Sequence, residues 1–185
     1  AEYFNELLHN LTDSINRISE ENGWQNQDIV RIVFHVFKPM KNIEVDVVAQ
    51  LISNYPQYDI KFAFISFSDR HPYMLFDIAQ TGIQSRRGTG IKGKYIPGRG
   101  TNILLEDGVC LLQLKGPSDI KSDRQGYTSP LLVKVHPNST FFDITYLVHQ
   151  VYRLTNISYR TFSPSQLPVS LFYASLITEQ LNKLS

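Results

Sequence analysis

The residues best suited to binding chemistry lie in one basic, glycine-rich stretch. The run RRGTGIKGKYIPGRG, residues 86–100, holds five of the ten glycines and five of the eighteen Lys and Arg residues. Lys and Arg bind phosphates by releasing counterions, and glycine lets a backbone approach closely. A contact surface for a nucleic-acid backbone and an ordinary solvated hairpin are both consistent with this composition.

A dinucleotide-binding motif is present in this stretch only as a string of letters. Gly88, Gly90 and Gly93 match the pattern G-x-G-x-x-G. A functional motif follows a strand and opens a helix, whereas the segment Lys94-Tyr95-Ile96-Pro97 follows here. Binding of a nucleotide cofactor is therefore disfavoured.

Patterns for hydrolytic chemistry are missing. The five histidines have no ligand spacing, and the apolar core segments carry no inward Asp or Glu, so the carboxylates of a two-metal phosphodiesterase are not supplied. There is no G-x-S-x-G elbow for a serine nucleophile. The single cysteine, Cys110, lies in an apolar run, which predicts a buried and inert thiol.

Arg160 is a candidate phosphate ligand outside the basic stretch. It lies between Tyr159 and Phe162, just before a Ser163-Pro164-Ser165 turn and a predicted helix. An Arg beside a helix start is well placed to bind a phosphate. A structural Arg that bonds loop carbonyls would have the same surroundings, so both interpretations stay open.

Hydrophobic periodicity predicts the elements that position these residues. Residues 29–37 and 60–67 are apolar runs, typical of strands buried on both faces. Helical spacing over residues 43–53 separates them, so the two strands should be parallel. The pattern predicts an α/β fold in one folding unit. The other predicted elements are helices over 2–21, 141–155 and 168–183, and short strands over 73–78, 94–97, 101–105, 109–115 and 131–135.

Composition and charge agree with a globular protein that has a polarised charge distribution. Hydrophobic residues make up 42% of the chain and aromatic residues 12%, which excludes disorder as the main state. The net charge is +1, yet residues 1–81 sum to −5, residues 82–134 to +5 and residues 135–185 to +1. No apolar run is long enough to span a bilayer and no secretory signal opens the sequence, so we expect a cytoplasmic protein.

Three segments of the chain resemble the PIWI domain of Argonaute proteins, most closely of prokaryotic members. They are RIVFHVFKPMKNIEVDVV, GIKGKYIPGRGTNILLEDGVCLLQLKGP and RQGYTSPLLVKVHPNSTFFDITYLVHQVYRLTNISYRTFSPSQLPVSLFYASLI. The resemblance implies that residues 1–185 are the C-terminal part of this domain. It implies an RNase H-like α/β fold, a mixed sheet flanked by helices with its first strands missing, and no MID, PAZ or N domain in this chain.

The same resemblance implies a protein that does not cleave. Slicing members bind two divalent ions through a tetrad of acidic residues that is usually closed by His or Asp. Phe37 occupies the aspartate position at the end of the family's RIIFYRDG-like strand, and Ser175 occupies the ligand position of its YYAHL-like helix. Both departures remove metal ligands, so we expect no catalytic metal and no nuclease activity.

Family positions that contact the guide strand are carried over to four residues. They are Arg160 and Ser163 in the R-x-x-S turn, Arg70 in the basic turn after the second core strand, and Gln125 in the Q-G segment. The resemblance also implies a Mg²⁺ ion at the guide 5′ phosphate, which the terminal carboxylate of Ser185 would help to hold.

The function implied is guide-dependent binding of nucleic acid in defence against foreign DNA. The expected partners are a short guide of RNA or DNA, a complementary target strand, a polypeptide that supplies the MID domain and the first PIWI strands, and an effector protein. Two alternatives stay open: an RNase H-like endonuclease with non-standard metal ligands, and a protein-interaction module of a defence complex.

Overall fold

The computed structural model describes residues 2–84, 90–157 and 165–183, apart from the side chains of residues 2–4. Its helices are α1 (Glu2–Asn22), α2 (Asn42–Ile52), α3 (Ile144–Thr155) and α4 (Val169–Asn182). Its strands are β1 (Ile29–Val36), β2 (Asp59–Ser68), β3 (Ile83–Gln84), β4 (Ile91–Lys92), β5 (Asn102–Glu106), β6 (Val109–Leu112) and β7 (Leu131–Val135). A 3₁₀ turn covers Pro117–Asp119.

One mixed sheet organises the chain, in the strand order β1-β2-β7-β6-β5. Strands β1 and β2 are parallel, with Ile29 opposite Asp59, and α2 makes the connection between them. The remaining pairs in this sheet are antiparallel. The predicted α/β class, the parallel pair and the mixed sheet are therefore confirmed, while β3 and β4 form a small separate hairpin.

Two apolar clusters cover the sheet on opposite faces. On the first face, alternate residues of β2, β6 and β7 pack against α3 and Leu171 of α4. On the second face, Phe62 and Phe64 of β2 pack against α1 and α2, and the ring of Phe64 stacks on that of Phe34 at 4.4 Å. Because successive strand residues point to opposite faces, the single strand β2 contributes to both clusters.

The prediction that the first core run is buried on both faces is wrong. Strand β1 lies at the edge of the sheet, paired only with β2. None of its residues is fully buried, and Ile29 is 68% exposed. Strand β1 is therefore more exposed, within the described residues, than its apolar composition predicts. Long apolar edge strands tend to pair with further strands.

Two of the predicted short strands are also absent. Residues 73–78 form a loop in which Leu75 is buried against Leu111 and Leu132. The other apolar side chains of this loop are exposed: Tyr73, Met74, Phe76 and Ile78. Residues 94–97 are not extended, because Gly93 and Tyr95 both adopt positive φ angles. A Cβ atom at position 93 would lie 2.7 Å from Cα of Pro117, so glycine is required there.

The remaining boundaries differ by a few residues. Helix α3 begins at Ile144 rather than near 141, because the side chain of Asp143 caps it by accepting a hydrogen bond from the amide of Tyr146 at 2.9 Å. Strand β6 ends at Leu112, three residues before the predicted end. In the described part of the chain, no helix combines the length and apolar character of a membrane span.

The described side chains of the basic stretch are bound to the protein itself. Nζ of Lys92 donates to the carbonyl of Ile120 at 2.7 Å, and Lys94 lies over the ring of Tyr95. Arg99 is a cross-link: its guanidinium donates to the carbonyl of Leu114 and, through Nη2, to Thr155 and Ser165 at 2.8 and 3.1 Å. A structural Arg that bonds loop carbonyls is thus present at position 99.

His35 links the edge strand to the last helix. Its Nδ1 atom is hydrogen-bonded to the hydroxyl of Ser170 in α4 at 2.7 Å, and its ring meets Phe67 edge-on at 5.2 Å. Burial lowers the pKa of His35 to about 4, because the low-polarity surroundings disfavour the charged imidazolium.

We predict that acid weakens the fold through His35. Its pKa is lower in the folded than in the unfolded chain, so the stabilisation is complete above about pH 6.5 and is lost as the pH falls towards about 4. When urea unfolding is measured across this pH range, the free energy of unfolding should fall by about 1–3 kcal/mol more for the wild type than for His35→Gln. Equal pH slopes for the two proteins would contradict this assignment.

We further predict that Arg99→Met destabilises the protein by about 2–4 kcal/mol, since carbonyls of Leu114 and Ser165 and the hydroxyl of Thr155 lose their donor. Lys121→Met is the matched control: this exposed side chain should change the free energy of unfolding by no more than about 0.5 kcal/mol. Urea unfolding measures both. Equal effects of the two variants would show that Arg99 is not a cross-link.

Candidate nucleic-acid groove at the ends of the parallel strands

A groove of about 420 Å³ lies at the carboxyl end of β2, on the sheet face that α1 and α2 cover further down. Its floor contains Ser66 of β2 and Leu132 and Lys134 of β7. Ser66 and Lys134 are opposite each other in the antiparallel register. Phe37, which follows β1, and Tyr73, in the loop after β2, line its sides. We call this cavity the central groove.

The alternation of residues along β2 explains why the central groove is open. On the second sheet face the strand presents Phe62 and Phe64, which are buried, and then Ser66 and Ser68, which are half-buried. The apolar cluster under α1 and α2 therefore ends at Phe64. A separate cluster of Leu75, Leu111 and Leu132 begins on the far side. The polar gap between these two clusters is the central groove.

The central groove is positively charged. Arg70 and Lys134 line it and are exposed, and the described residues of its lining include no Asp or Glu. In the described part of the chain neither Arg70 nor Lys134 forms an ion pair. Glu106 lines a neighbouring cavity with Lys134, but it forms no ion pair with that lysine. Two unpaired cations in a groove attract phosphate groups rather than metal ions.

A network of hydrogen bonds holds the loop that carries these groups. The amide of Arg70 donates to the hydroxyl of Ser68 at 3.1 Å. Nδ1 of His71 accepts from the amide of Tyr73 at 3.3 Å, and Nε2 therefore donates to the carbonyl of Pro130 at 2.8 Å. His71 thus ties the loop after β2 to the start of β7 and fixes the position of Tyr73.

A second cavity of about 540 Å³ adjoins the central groove and shares Phe37, Phe67 and Ser68 with it. We call it the lateral cavity. Gln125 lines it, and Oε1 of Gln125 accepts a hydrogen bond from the amide of Lys121 at 2.7 Å. The amide group of Gln125 is therefore held by its own loop, and Lys115 and Asp69 line the same cavity.

The predicted site residues are brought together only in part. Phe37 lies beside Arg70 in the central groove and beside Gln125 in the lateral cavity. Ser175 lines neither: it is half-buried on α4, and its hydroxyl donates to the carbonyl of Phe172 at 2.8 Å. Arg160, Ser163 and Ser185 lie outside the described residues.

The residues around Phe37 do not suit a two-metal centre. Neither Phe37 nor Ser175 has a carboxylate or imidazole, and Asp69 is the one acidic residue among the described residues that line the lateral cavity. No cluster of three or more His, Cys, Asp or Glu side chains with metal-binding geometry occurs across residues 5–84, 90–157 and 165–183. The two-metal mechanism requires several carboxylates that hold the ions close together.

Cys110 does not contribute to the site. Its side chain is buried in the cluster between β6 and α3. Burial raises the pKa of the Cys110 thiol, because the thiolate is disfavoured in apolar surroundings. The predicted buried thiol is confirmed.

The groove contains three residues that no sequence pattern had marked as functional: Ser66, Tyr73 and Lys134. The sequence contains a pattern that could have identified Ser66: the alternating residues Phe62, Phe64, Ser66 and Ser68 mark the end of an apolar strand face. Lys134 carries no such signal, because it joins the groove only through the register of β2 with β7.

Comparison with known proteins identifies relatives of this chain. No family model matches the sequence. The chain is 32% identical over 185 residues to a protein argonaute of Cereibacter sphaeroides, and the match covers 98% of this chain but 24% of that protein. The chain therefore spans about a quarter of the length of this curated relative.

Solved structures of Argonaute proteins share the fold. The Clostridium butyricum Argonaute bound to a guide DNA and a 19-mer target DNA superposes with a TM-score of 0.64 at 20% identity, over 96% of this chain and 20% of that chain. The Marinitoga piezophila Argonaute in complex with a 5′ OH guide RNA gives a TM-score of 0.57 at 15% identity, over 90% of this chain and 21% of that chain.

The Argonaute of A. aeolicus gives a TM-score of 0.55 at 17% identity, over 93% of this chain and 21% of that chain. The mixed sheet with its flanking helices therefore matches the PIWI-like region of these proteins. The sequence match along almost the whole chain and the shared fold together show that this chain is similar to a segment of prokaryotic Argonaute proteins.

Proposed function

We propose that this chain is the C-terminal part of a PIWI domain and that it holds a short guide, paired with its target, without cleaving either strand. The observation that carries the proposal is the central groove: among the residues that the structure describes, Arg70 and Lys134 are exposed and unpaired there and no carboxylate lines the cavity. Base pairing with the guide would select the target, and the protein would contact the backbone.

The chemistry of the groove supports the proposal that the protein does not cleave. Phe37 occupies the position at which slicing relatives are expected to place an aspartate, and it lines both the central groove and the lateral cavity. With Ser175 bonded to its own helix, neither residue supplies a ligand for a divalent ion. Asp69 on its own would not hold two ions.

The proposal extends to partners that would complete the domain. Strand β1 has an apolar, half-buried surface at an unpaired sheet edge, which further strands would cover. We propose that the polypeptide carrying the MID domain supplies them. A Mg²⁺ ion at the guide 5′ phosphate, held with the carboxylate of Ser185, and an effector protein that acts in defence against foreign DNA belong to the same proposal.

Salt dependence of binding tests the phosphate contacts. Arg70→Gln and Lys134→Gln should each weaken binding of a guide–target duplex to the intact protein by about 3–10-fold and reduce the slope of log affinity against log salt by about 1. Filter binding at a series of salt concentrations measures both quantities. The physical reason is that each variant removes one cation that displaces a counterion.

Lys61→Gln is the matched control for these two variants. Lys61 lies on β2 as well, but at the opposite end, where it pairs with Asp59 at 2.9 Å. Its replacement should leave the affinity and the salt slope unchanged. If all three variants behave alike, or if Arg160→Ala and the groove variants leave binding intact, the groove does not hold nucleic acid.

A cleavage assay tests the second half of the proposal. The wild-type protein, incubated with guide, target and Mg²⁺ or Mn²⁺, should give no site-specific product. Phe37→Asp should not restore cleavage, because Ser175 supplies no second ligand. Site-specific cleavage by the wild type would contradict the proposal, and its loss in Asp69→Asn would then favour a nuclease with non-standard ligands.

A further inference from the structure

We propose that the central groove binds one unstacked nucleobase, held against the rings of Phe37 and Tyr73. This inference rests on the proposed nucleic-acid binding and goes beyond it, since it assigns a base to a cavity rather than a phosphate to a charged surface. Phe37, at the position where slicing relatives are expected to place a metal ligand, would then be part of a stacking site for a base.

The two aromatic side chains are available for such a contact. Phe37 is 49% exposed and Tyr73 is 46% exposed, although both line a cavity. Neither ring belongs to one of the three buried apolar clusters. Exposed aromatic rings beside cations are the combination that binds single-stranded nucleic acid, because every base has a face that stacks.

Tyr73 is held in place before any ligand arrives. Its amide donates to His71, and the rings of Tyr73 and His71 are 5.7 Å apart with an angle of 35° between their planes. His71 is fixed in turn by the carbonyl of Pro130. A ring whose position is set by its neighbours loses little conformational entropy on binding, which favours a stacking role over a mobile surface side chain.

The dimensions and charge of the groove suit a nucleotide. Its volume of about 420 Å³ lies in the range of small-molecule sites. Arg70 and Lys134 line the same cavity as the two rings, so the phosphates on either side of a stacked base would meet cations. An apolar side chain of a protein partner could also cover Phe37, but it would bring no counter-charge to Arg70 and Lys134.

Abasic substitution tests the inference directly. Duplexes with one abasic site, moved along the target strand and then along the guide, are bound to the intact wild-type protein. Affinity should fall by about 5–50-fold at one or two adjacent positions and by much less elsewhere. Phe37→Leu and Tyr73→Leu should each lower the affinity for the unmodified duplex. Removing the sensitive base should then lower the affinity of these variants no further.

Matched variants separate stacking from other effects. Phe37→Trp keeps an aromatic face and should retain the wild-type dependence on the base. Phe76→Leu removes an exposed aromatic side chain that lines neither cavity. It should leave the affinity and its dependence on the base unchanged. The salt slope should stay constant in Phe37→Leu, because no cation is removed, and 2-aminopurine at the sensitive position should be quenched by the wild type but not by Phe37→Leu.

The inference is overturned if Phe37→Leu lowers the affinity by the same factor for the unmodified duplex and for every abasic duplex. It is also overturned if Phe37→Leu leaves the affinity unchanged while Arg70→Gln and Lys134→Gln lower the salt slope. The second result would leave the proposed function standing. A wild-type protein that binds no guide–target duplex would overturn both the inference and the proposed function.

Discussion

Ser66 and Lys134 face each other across β2 and β7, on a sheet face where an apolar cluster lies on either side of them. This polar pair separates the cluster under α1 and α2 from the cluster around Leu75, and the separation creates the central groove. A Phe at position 66 would continue the series of Phe62 and Phe64 and extend the apolar cover towards Lys134. The position of the groove is therefore set by the point at which the alternation changes from phenylalanine to serine.

The opposite face of the same strands provides the rigidity that such a groove needs. Ala63, Ile65 and Phe67 are buried against α3 and its neighbours, so β2 is held tightly on that side. His35 connects β1 to α4, and Arg99 joins the end of α3 to the loop before β5. Cations on the ends of strands and in a loop that is pinned by His71 can then be placed accurately towards phosphates.

Much of the fold could be predicted from the sequence, because apolar runs and helical spacing report local burial. The parallel pair of β1 and β2 followed from the strand–helix–strand pattern, and the helices were located to within a few residues. The loop over residues 73–78 was mistaken for a strand because most of its residues are apolar, although only Leu75 among them is buried. The edge position of β1 depends on which strands pair, which hydrophobicity does not report.

The site was harder to predict because it depends on distant pairings. Phe37, Arg70 and Gln125 were identified from a family resemblance, and two cavities join them. Lys134 enters the groove through antiparallel register with a strand about 68 positions earlier in the chain. The net charge of +1 does not report where the charges lie, since Arg70 and Lys134 both line the central groove. The basic glycine-rich stretch was also misleading, because Lys92, Lys94 and Arg99 contact carbonyls and a ring of the protein itself.

The most direct test of the account is an experimental structure of the intact protein with a guide and its target. It should show backbone phosphates within about 3 Å of the side-chain nitrogens of Arg70 and Lys134, with no metal ion between Phe37 and Ser175. A groove filled by a protein segment, with the nucleic acid bound elsewhere, would contradict the account.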